Sequence, residues 1–401
     1  MPKFYRAEHV LLGDELKDAG PSFVEVDGTR IVSCGSCEEL KSIGAQNLDV
    51  IDLGPCTLMP GMVDAHNHMV MDFRHPQAAR DLSADYPAQL KTAQLTANDD
   101  LLSGVTSSRY LGDRLYVDVA MRELVASGET PGPKASVCGI GMKSDKAPGF
   151  VARGLGAAEA FSETARRNLL LGVDFLKLFM TGTLLPENES EEIPFYLEPE
   201  MVRAAVSMGL NEHKYTAAHC IGGQGLRICV DEGVTVIEHG YGITARDIEL
   251  LLQKNIRLCL TPGVFMDEQR DRYLPAERRE AGARIRERVM ANMSGIIASG
   301  LFYATGTDAM HCGLAREAKY ICQLGAANRD AVKSVTINAA ELSGTAGQTG
   351  SLLPGKCADM IAVRGDPLED ISALERVAFI MQDGKVIADW TKQPDDRPGS
   401  K

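Results

Sequence analysis

The spacing of apolar residues changes twice along this chain. Over residues 1–57 it reads as short strands: KFYRAEHVLL, then SFVEVDGTRIVSCG with Asp27-Gly28 as a hairpin turn, then NLDVIDLGPCTLMPG. From residue 350 the same texture returns, in SLLPGKCADMIAVRG and in VAFIMQDGKVIADW, which folds about a second Asp-Gly turn at Asp383-Gly384. Hairpin-rich ends around a different middle predict one small β-sandwich domain built from both termini, residues 1–57 and 350–401.

Residues 58–349 alternate strand-like and helix-like segments. Four junctions fix the register: SGVTSSRYLG from Ser103, LGVDFLKLFM from Leu171, EGVTVIEHG from Glu232 and SGLFYATGTDA from Ser299. Each has a glycine where a helix would close in left-handed backbone, followed by a β-rich run. The apolar runs LMPGMVDAHNH (from Leu58), KASVCGIGM, KYTAAHC and NIRLCLTPG complete eight strands. Helix-length segments between them predict an α/β fold, a (β/α)8 TIM barrel over residues 58–349. A doubly wound sheet is the structural alternative, but no G-x-G-x-x-G opens a helix after an early strand.

Composition adds boundaries rather than chemistry. With 401 residues, 44% hydrophobic and 24% charged, the chain has the make-up of a soluble globular protein. Its formal net charge of −13, from 55 acidic and 42 basic residues, disfavours nucleic acid and anionic membranes, since each phosphate contact needs a nearby cation. The charged start MPKFYRAEHVLLGDELKDAG lacks the apolar core of a signal peptide, and no run approaches the roughly 20 apolar residues of a membrane span. Ten cysteines are scattered, several inside apolar runs such as those around Cys138 and Cys259, as expected of small buried hydrophobes in a reducing cytoplasm. Cys34 and Cys37 form a C-x-x-C, but no second pair follows at zinc-ribbon spacing, so no redox or zinc role is expected of them.

In such a barrel the chemistry belongs at the C-terminal ends of the strands. His66 and His68 end the first, and their i, i+2 spacing puts both imidazoles on one face. His219 ends the fifth, His239 the sixth and Asp308 the eighth, and Lys177 ends the fourth. Imidazoles and carboxylates converging from apolar strands call for a shared cation, and a divalent metal suits that donor set. Lys177, flanked by Phe175, Leu176, Leu178 and Phe179, would be poorly solvated and its pKa pushed down. A neutral amine adds carbon dioxide to give a carbamate, a carboxylate on a long arm able to bridge two metals. The plainer reading is an unmodified lysine paired with Asp174 or Asp308.

These motifs resemble the amidohydrolase superfamily of metal-dependent hydrolases, most closely the branch of Xaa-Pro dipeptidase and carboxypeptidase-like enzymes, with imidazolonepropionase-related ones. The resemblance runs from Leu58 to Asp370 and includes His66-Asn67-His68, GVTSSRYLG, LKLFMTGT, AAHCIGGQG, VIEHG, GTDA and the tail TINAAELSG…GSLLPGKCADMIAV…GDPLEDI. It implies two divalent ions, zinc by default. His66, His68 and Asp308 would bind the buried one, His219 and His239 the exposed one, with carbamylated Lys177 between. A hydroxide shared by the ions would attack the scissile carbonyl, with Asp308 carrying the proton to the leaving nitrogen.

The chain departs from this branch after the third strand, where a substrate-gripping His is common but GIGMKSDKAPGFVARG has none. Lys143, Lys146 or Arg153 would have to supply that charge. His311 and Tyr241 are the other candidates for meeting substrate, whereas Arg316 suits a helix-surface pair. The charged segment GVFMDEQRDRYLPAERRE after strand seven reads as a lid or, preferably, a solvated helix start. The expected activity is hydrolysis of a small-molecule amide: a dipeptide, an N-acyl amino acid or a cyclic amide. The alternative is a mononuclear aminohydrolase deaminating a nitrogen heterocycle, against which Lys177 speaks. A non-catalytic binding protein fits poorly with an intact ligand set. A homo-oligomer is compatible with a barrel of this kind.

Overall fold

The computed structural model describes residues 2–42, 48–75, 82–147 and 151–392. The tail beyond residue 392, included in the expected sandwich, and residues 148–150 of the loop after the third strand lie outside them.

The eight barrel strands are Met62–Asn67, Val105–Tyr110, Lys134–Val137, Leu176–Phe179, Thr216–Cys220, Val236–His239, Arg257–Leu260 and Tyr303–Thr305. Strands one to three pair in parallel, as do strands four to eight. The helices between them close as the glycine pattern predicts. Gly104, Gly172, Gly233 and Gly300, each one residue past a helix cap, all have positive φ, between 68° and 96°.

Two runs divide where the sequence suggests continuity. LMPGMVDAHNH is two strands: Cys56–Pro60 belongs to the terminal sheets and Met62–Asn67 to the barrel. Gly61 joins them where a Cβ would lie 2.2 Å from Thr106 Oγ1, so only glycine lets the chain pass. KASVCGIGM also splits. Lys134–Val137 pairs with strand two, and Met142–Ser144 pairs with strand four.

Carboxylates stitch the barrel where ladders fail. Between strands three and four, Asp174 takes the Val137 amide on its side chain (2.9 Å), and its own amide donates to the Val137 carbonyl (2.8 Å). Between strands eight and one, Asp64 accepts from the amides of His66 (3.0 Å) and Thr307 (3.1 Å) and from the Thr307 hydroxyl (2.6 Å). Gly306 sits so close to His66 that a Cβ would fall 2.3 Å from its nitrogen. This seam carries the first two histidines and Asp308, whose amide donates to the His66 carbonyl at 2.8 Å.

The terminal strands form two sheets. One holds Lys3–Ala7, Ser22–Asp27, Arg30–Ser36 and Asp49–Asp52; the other joins His9–Leu12, Lys17–Asp18 and Cys56–Pro60 to Met360–Arg364, Val377–Gln382 and Lys385–Asp389. Tyr5, Val24, Ile31, Leu58, Met360 and Phe379 are buried together between them. Both Asp-Gly turns form as read, with Gly28 at φ 57° and Asp383-Gly384 at 47° and 71°.

Asp64→Ala would leave two backbone amides and a hydroxyl buried without acceptors. The expected cost is about 2–4 kcal/mol, read as a lower urea midpoint at unchanged slope, with Asp64→Asn losing less. An unshifted midpoint would show that the seam is held otherwise.

Candidate metal centre

Each of the four expected histidines has one ring nitrogen already tied to an outer partner. His66 Nδ1 meets Glu238 at 2.7 Å, His68 Nδ1 the Gly112 carbonyl at 3.1 Å, His219 Nε2 the Gly182 carbonyl at 3.1 Å, and His239 Nδ1 the Thr261 hydroxyl at 2.8 Å. For His66, His68 and His219 the outer partner can only accept, so the other ring nitrogen is left as a lone-pair donor, as metal ligation requires; the Thr261 hydroxyl can donate to His239 or accept from it. The rings gather: His66 lies 5.4 Å from His68 and 4.7 Å from His239, and His239 lies 4.5 Å from His219, centroid to centroid. Asp308 Oδ1 stands 3.4 Å from His66 Nε2 and 3.6 Å from His68 Nε2. These three residues place one ligand atom each within 4.8 Å of one another. His239 and Asp308 reach the cluster in left-handed backbone, at φ 74° and 48°.

Burial prepares these groups electrically. It lowers His68 to about 3 and His219 to about 4, and holds His239 well below the usual imidazole range. All three are therefore neutral near pH 7, with no proton for a metal to displace. Burial opposes charge on Asp308, but His66 and Arg270 outweigh it and keep the carboxylate ionised.

Lys177 is fully buried and its Nζ makes no hydrogen bond among the described residues; it lies 4.9 Å from the centroid of the Phe179 ring. Neither partner of the plainer reading takes it up. Asp174 serves Val137, and Asp308 faces the histidines and Arg270. Burial lowers its pKa to about 8, with Arg109 pushing the same way and Glu238 opposing. A buried amine without a partner, beside neutral imidazoles and one carboxylate, fits the donor set of a two-metal centre with a modified lysine.

Tyr241 and His311 are placed differently from expectation. The Tyr241 hydroxyl bonds the Thr261 hydroxyl (2.6 Å) and approaches His239 Nδ1 (3.3 Å), while its ring packs edge-on against Phe265. It steadies His239 from behind. His311 is buried with both nitrogens engaged, by Asp100 at 2.7 Å and by the Met71 carbonyl at 2.9 Å, so neither is left for substrate. Arg316 pairs with Asp267 at 3.0 Å, half-buried rather than on an open helix face.

Sequence reasoning missed the groups behind the ligands. Glu238 bonds His66 with one oxygen and Arg109 with the other (2.8 Å), and both side chains are fully buried. Arg109 also donates to the Ala65 carbonyl and the Tyr215 hydroxyl and lies 4.3 Å from the Phe175 ring centre. The available signal was one charged residue inside each of two otherwise buried strands, VTSSRY and VIEH, which only a cross-barrel pair can satisfy. Arg270, which bonds Asp308 through its carbonyl (2.9 Å) and carboxylate (3.2 Å), comes from the segment read as a solvated helix start.

Residues 57–388 match the model of the amidohydrolase family. An ochratoxinase of Aspergillus niger is 23% identical over 372 residues, covering 82% of this chain and 75% of that enzyme. An imidazolonepropionase of Fusobacterium nucleatum is 22% identical over 376 residues, 84% of each. Among solved structures, a Xaa-Pro dipeptidase with methionine bound in its active site superimposes with a TM-score of 0.83 at 23% identity, over 96% of this chain and 99% of that one. The A. niger ochratoxinase structure gives 0.82 at 19% identity, over 97% and 96%. At such identities the structural likeness speaks for the fold.

Glu238→Gln removes the charge that orients His66 and answers Arg109. Metal affinity is expected to fall about 10–100-fold, measured by competition with a chromophoric chelator. Undiminished affinity would mean that Glu238 serves the fold alone.

Proposed function

Because the chain belongs to the amidohydrolase family, we propose that it is a two-metal hydrolase cleaving the C–N bond of a small amide: a dipeptide, an N-acyl amino acid or a cyclic amide. The observation that carries this reading is the convergence of four outward-tethered imidazoles, an ionised Asp308 and a buried, unpartnered Lys177. The Xaa-Pro dipeptidase among the structural neighbours supports a peptide-like bond.

His66, His68 and Asp308 would hold one ion, His219 and His239 the other, with Lys177 as a carbamate between them. Two bound cations supply acidity to water and polarise the scissile carbonyl. The chain's own residues do the rest. Glu238 keeps the proton of His66 on Nδ1, so that Nε2 faces the centre. Arg270 pins Asp308 by its backbone and carboxylate, leaving Oδ1 toward the histidines to take a proton from the attacking water and return it to the leaving nitrogen. Tyr241 and Thr261 lock the sixth-strand imidazole in one orientation.

Two tests follow. Holoprotein assayed against a panel of N-acyl amino acids and dipeptides should release amine, and Asp308→Asn should lower kcat by about 100-fold or more. Lys177→Ala should drop metal content from two ions to one per chain with loss of turnover, whereas full activity with one ion would overturn the two-metal scheme.

The Lys177 amine, shifted to about 8, also sets a pH dependence. Below that value it is an ammonium and cannot add carbon dioxide; above it the neutral amine prevails. Bicarbonate-dependent reconstitution of the metal-free protein should therefore slow roughly tenfold per pH unit below 8 and level off above. A flat rate between pH 6 and 9 would count against the carbamate.

A further inference from the structure

A cavity of ≈ 210 Å³ beside Asp308 is left unused by the chemistry above. It lies between the loops after the first, fourth and seventh strands, where Phe73, Leu184, Phe265 and Leu274 make an apolar wall. Arg270, Arg278, Arg279 and Arg286 line the rest, against a single acid, Asp271. Two of these cations are already paired, Arg270 with Asp308 at 3.2 Å and Arg286 with Asp271 at 2.6 Å. Arg270 also stacks over Phe73, 4.1 Å from the ring centre. The guanidinium groups of Arg278 and Arg279 have neither a hydrogen bond nor an ion pair among the described residues.

Arg278 is half-buried, whereas Arg279 is exposed. Burial and the neighbouring Arg270 both act against its charge, while Asp308 and Tyr241 favour it. A guanidinium partly withdrawn from water beside a second cation is unfavourable until an anion arrives. Its planar fork matches a carboxylate with two parallel hydrogen bonds.

The geometry points to a carboxylate subsite: the amide substrate carries a free carboxylate received by Arg278, with Arg279 at the mouth and an apolar side chain against Phe73, Phe265 and Leu274. This deepens the proposed amide hydrolysis and rests on it. Among the described residues of the third-strand loop, where the sequence offers Lys143, Lys146 and Arg153, none lines this cavity. Lys143 donates to the Ala147 carbonyl, and the other two are exposed. The anion grip has moved to the helix that follows strand seven.

The test compares N-acetyl-leucine, N-acetyl-methionine and N-acetyl-phenylalanine with their neutral C-terminal N-methylamides, using the metal-loaded enzyme. The acids should exceed the amides at least tenfold in kcat/KM. Arg278→Gln should lower kcat/KM for the acids about 10–100-fold, mainly through KM, and leave the amides within about twofold. Arg278→Lys should recover part of the loss. Equal turnover of acids and amides, or an equal loss on both in Arg278→Gln, would overturn the subsite. Calorimetry on metal-loaded Asp308→Asn separates this from failure of the hydrolytic reading. Acids that bind more tightly than amides, with the preference lost on adding Arg278→Gln, keep the subsite even if nothing is hydrolysed; equal binding rejects it.

Discussion

A guanidinium with no access to water sits inside this barrel, and the candidate metal centre is built on what answers it. Arg109 could not be carried there on packing alone, since an uncompensated buried charge costs several kcal/mol. Its charge is met by Glu238 from across the barrel, its Nη1 and Nε also by the Ala65 carbonyl and the Tyr215 hydroxyl, and its flat face by Phe175. The small inward residues Ala65, Ala217, Cys259 and Ala304 leave room for the pair. Glu238 then has one oxygen left, and that oxygen meets His66. The orientation of the first ligand is thus inherited from a charge pair that spans strands two and six.

The same accounting governs Lys177. Inside the barrel mouth Arg109 is matched by Glu238 and Arg270 by Asp308, each anion spoken for by a cation other than the lysine. An ammonium at Lys177 would have no dedicated counter-charge. Glu238 is felt there, but Arg109 is felt as well and opposes it. An ammonium so placed is disfavoured by burial, which lowers the Lys177 pKa to about 8. Burial holds His68, His219 and His239 neutral, the state in which an imidazole can serve as a metal ligand.

The eight-strand pattern and the placement of His66, His68, His219, His239, Asp308 and Lys177 were legible because both rest on local rules: strand length, helix-closing glycines and polar residues ending apolar runs. What local rules did not reveal depends on pairs distant in the chain. Nothing near Arg109 announces Glu238, 129 positions away. The division of LMPGMVDAHNH at Gly61 comes from Thr106 on the next strand, so it cannot be read from the run itself. His311 was a candidate for meeting substrate, but its partner Asp100 lies 211 residues earlier. Tyr241, two residues after His239, was a candidate for meeting substrate, yet Thr261 on the seventh-strand side claims its hydroxyl.

The segment after strand seven shows why a charged stretch is a poor guide to its own mobility. Its base is fastened twice by one helix: Glu317 accepts from the Gly263 amide at 2.8 Å, and Arg316 grips Asp267 at 3.0 Å. Asp267 also caps the next turn by accepting from the Gln269 amide, which fixes the direction in which Arg270 leaves the backbone. From there Arg270 reaches Asp308, and one helical stretch later Arg278 reaches the cavity. A lid free to swing would detach Asp308 from its clamp each time it opened. A segment anchored at Asp267 avoids that: Arg270, the partner of Asp308, and Arg278, at the cavity, are set by the same short stretch of chain. Their relative position is then fixed by the covalent path between residues 267 and 278 rather than by a closing motion.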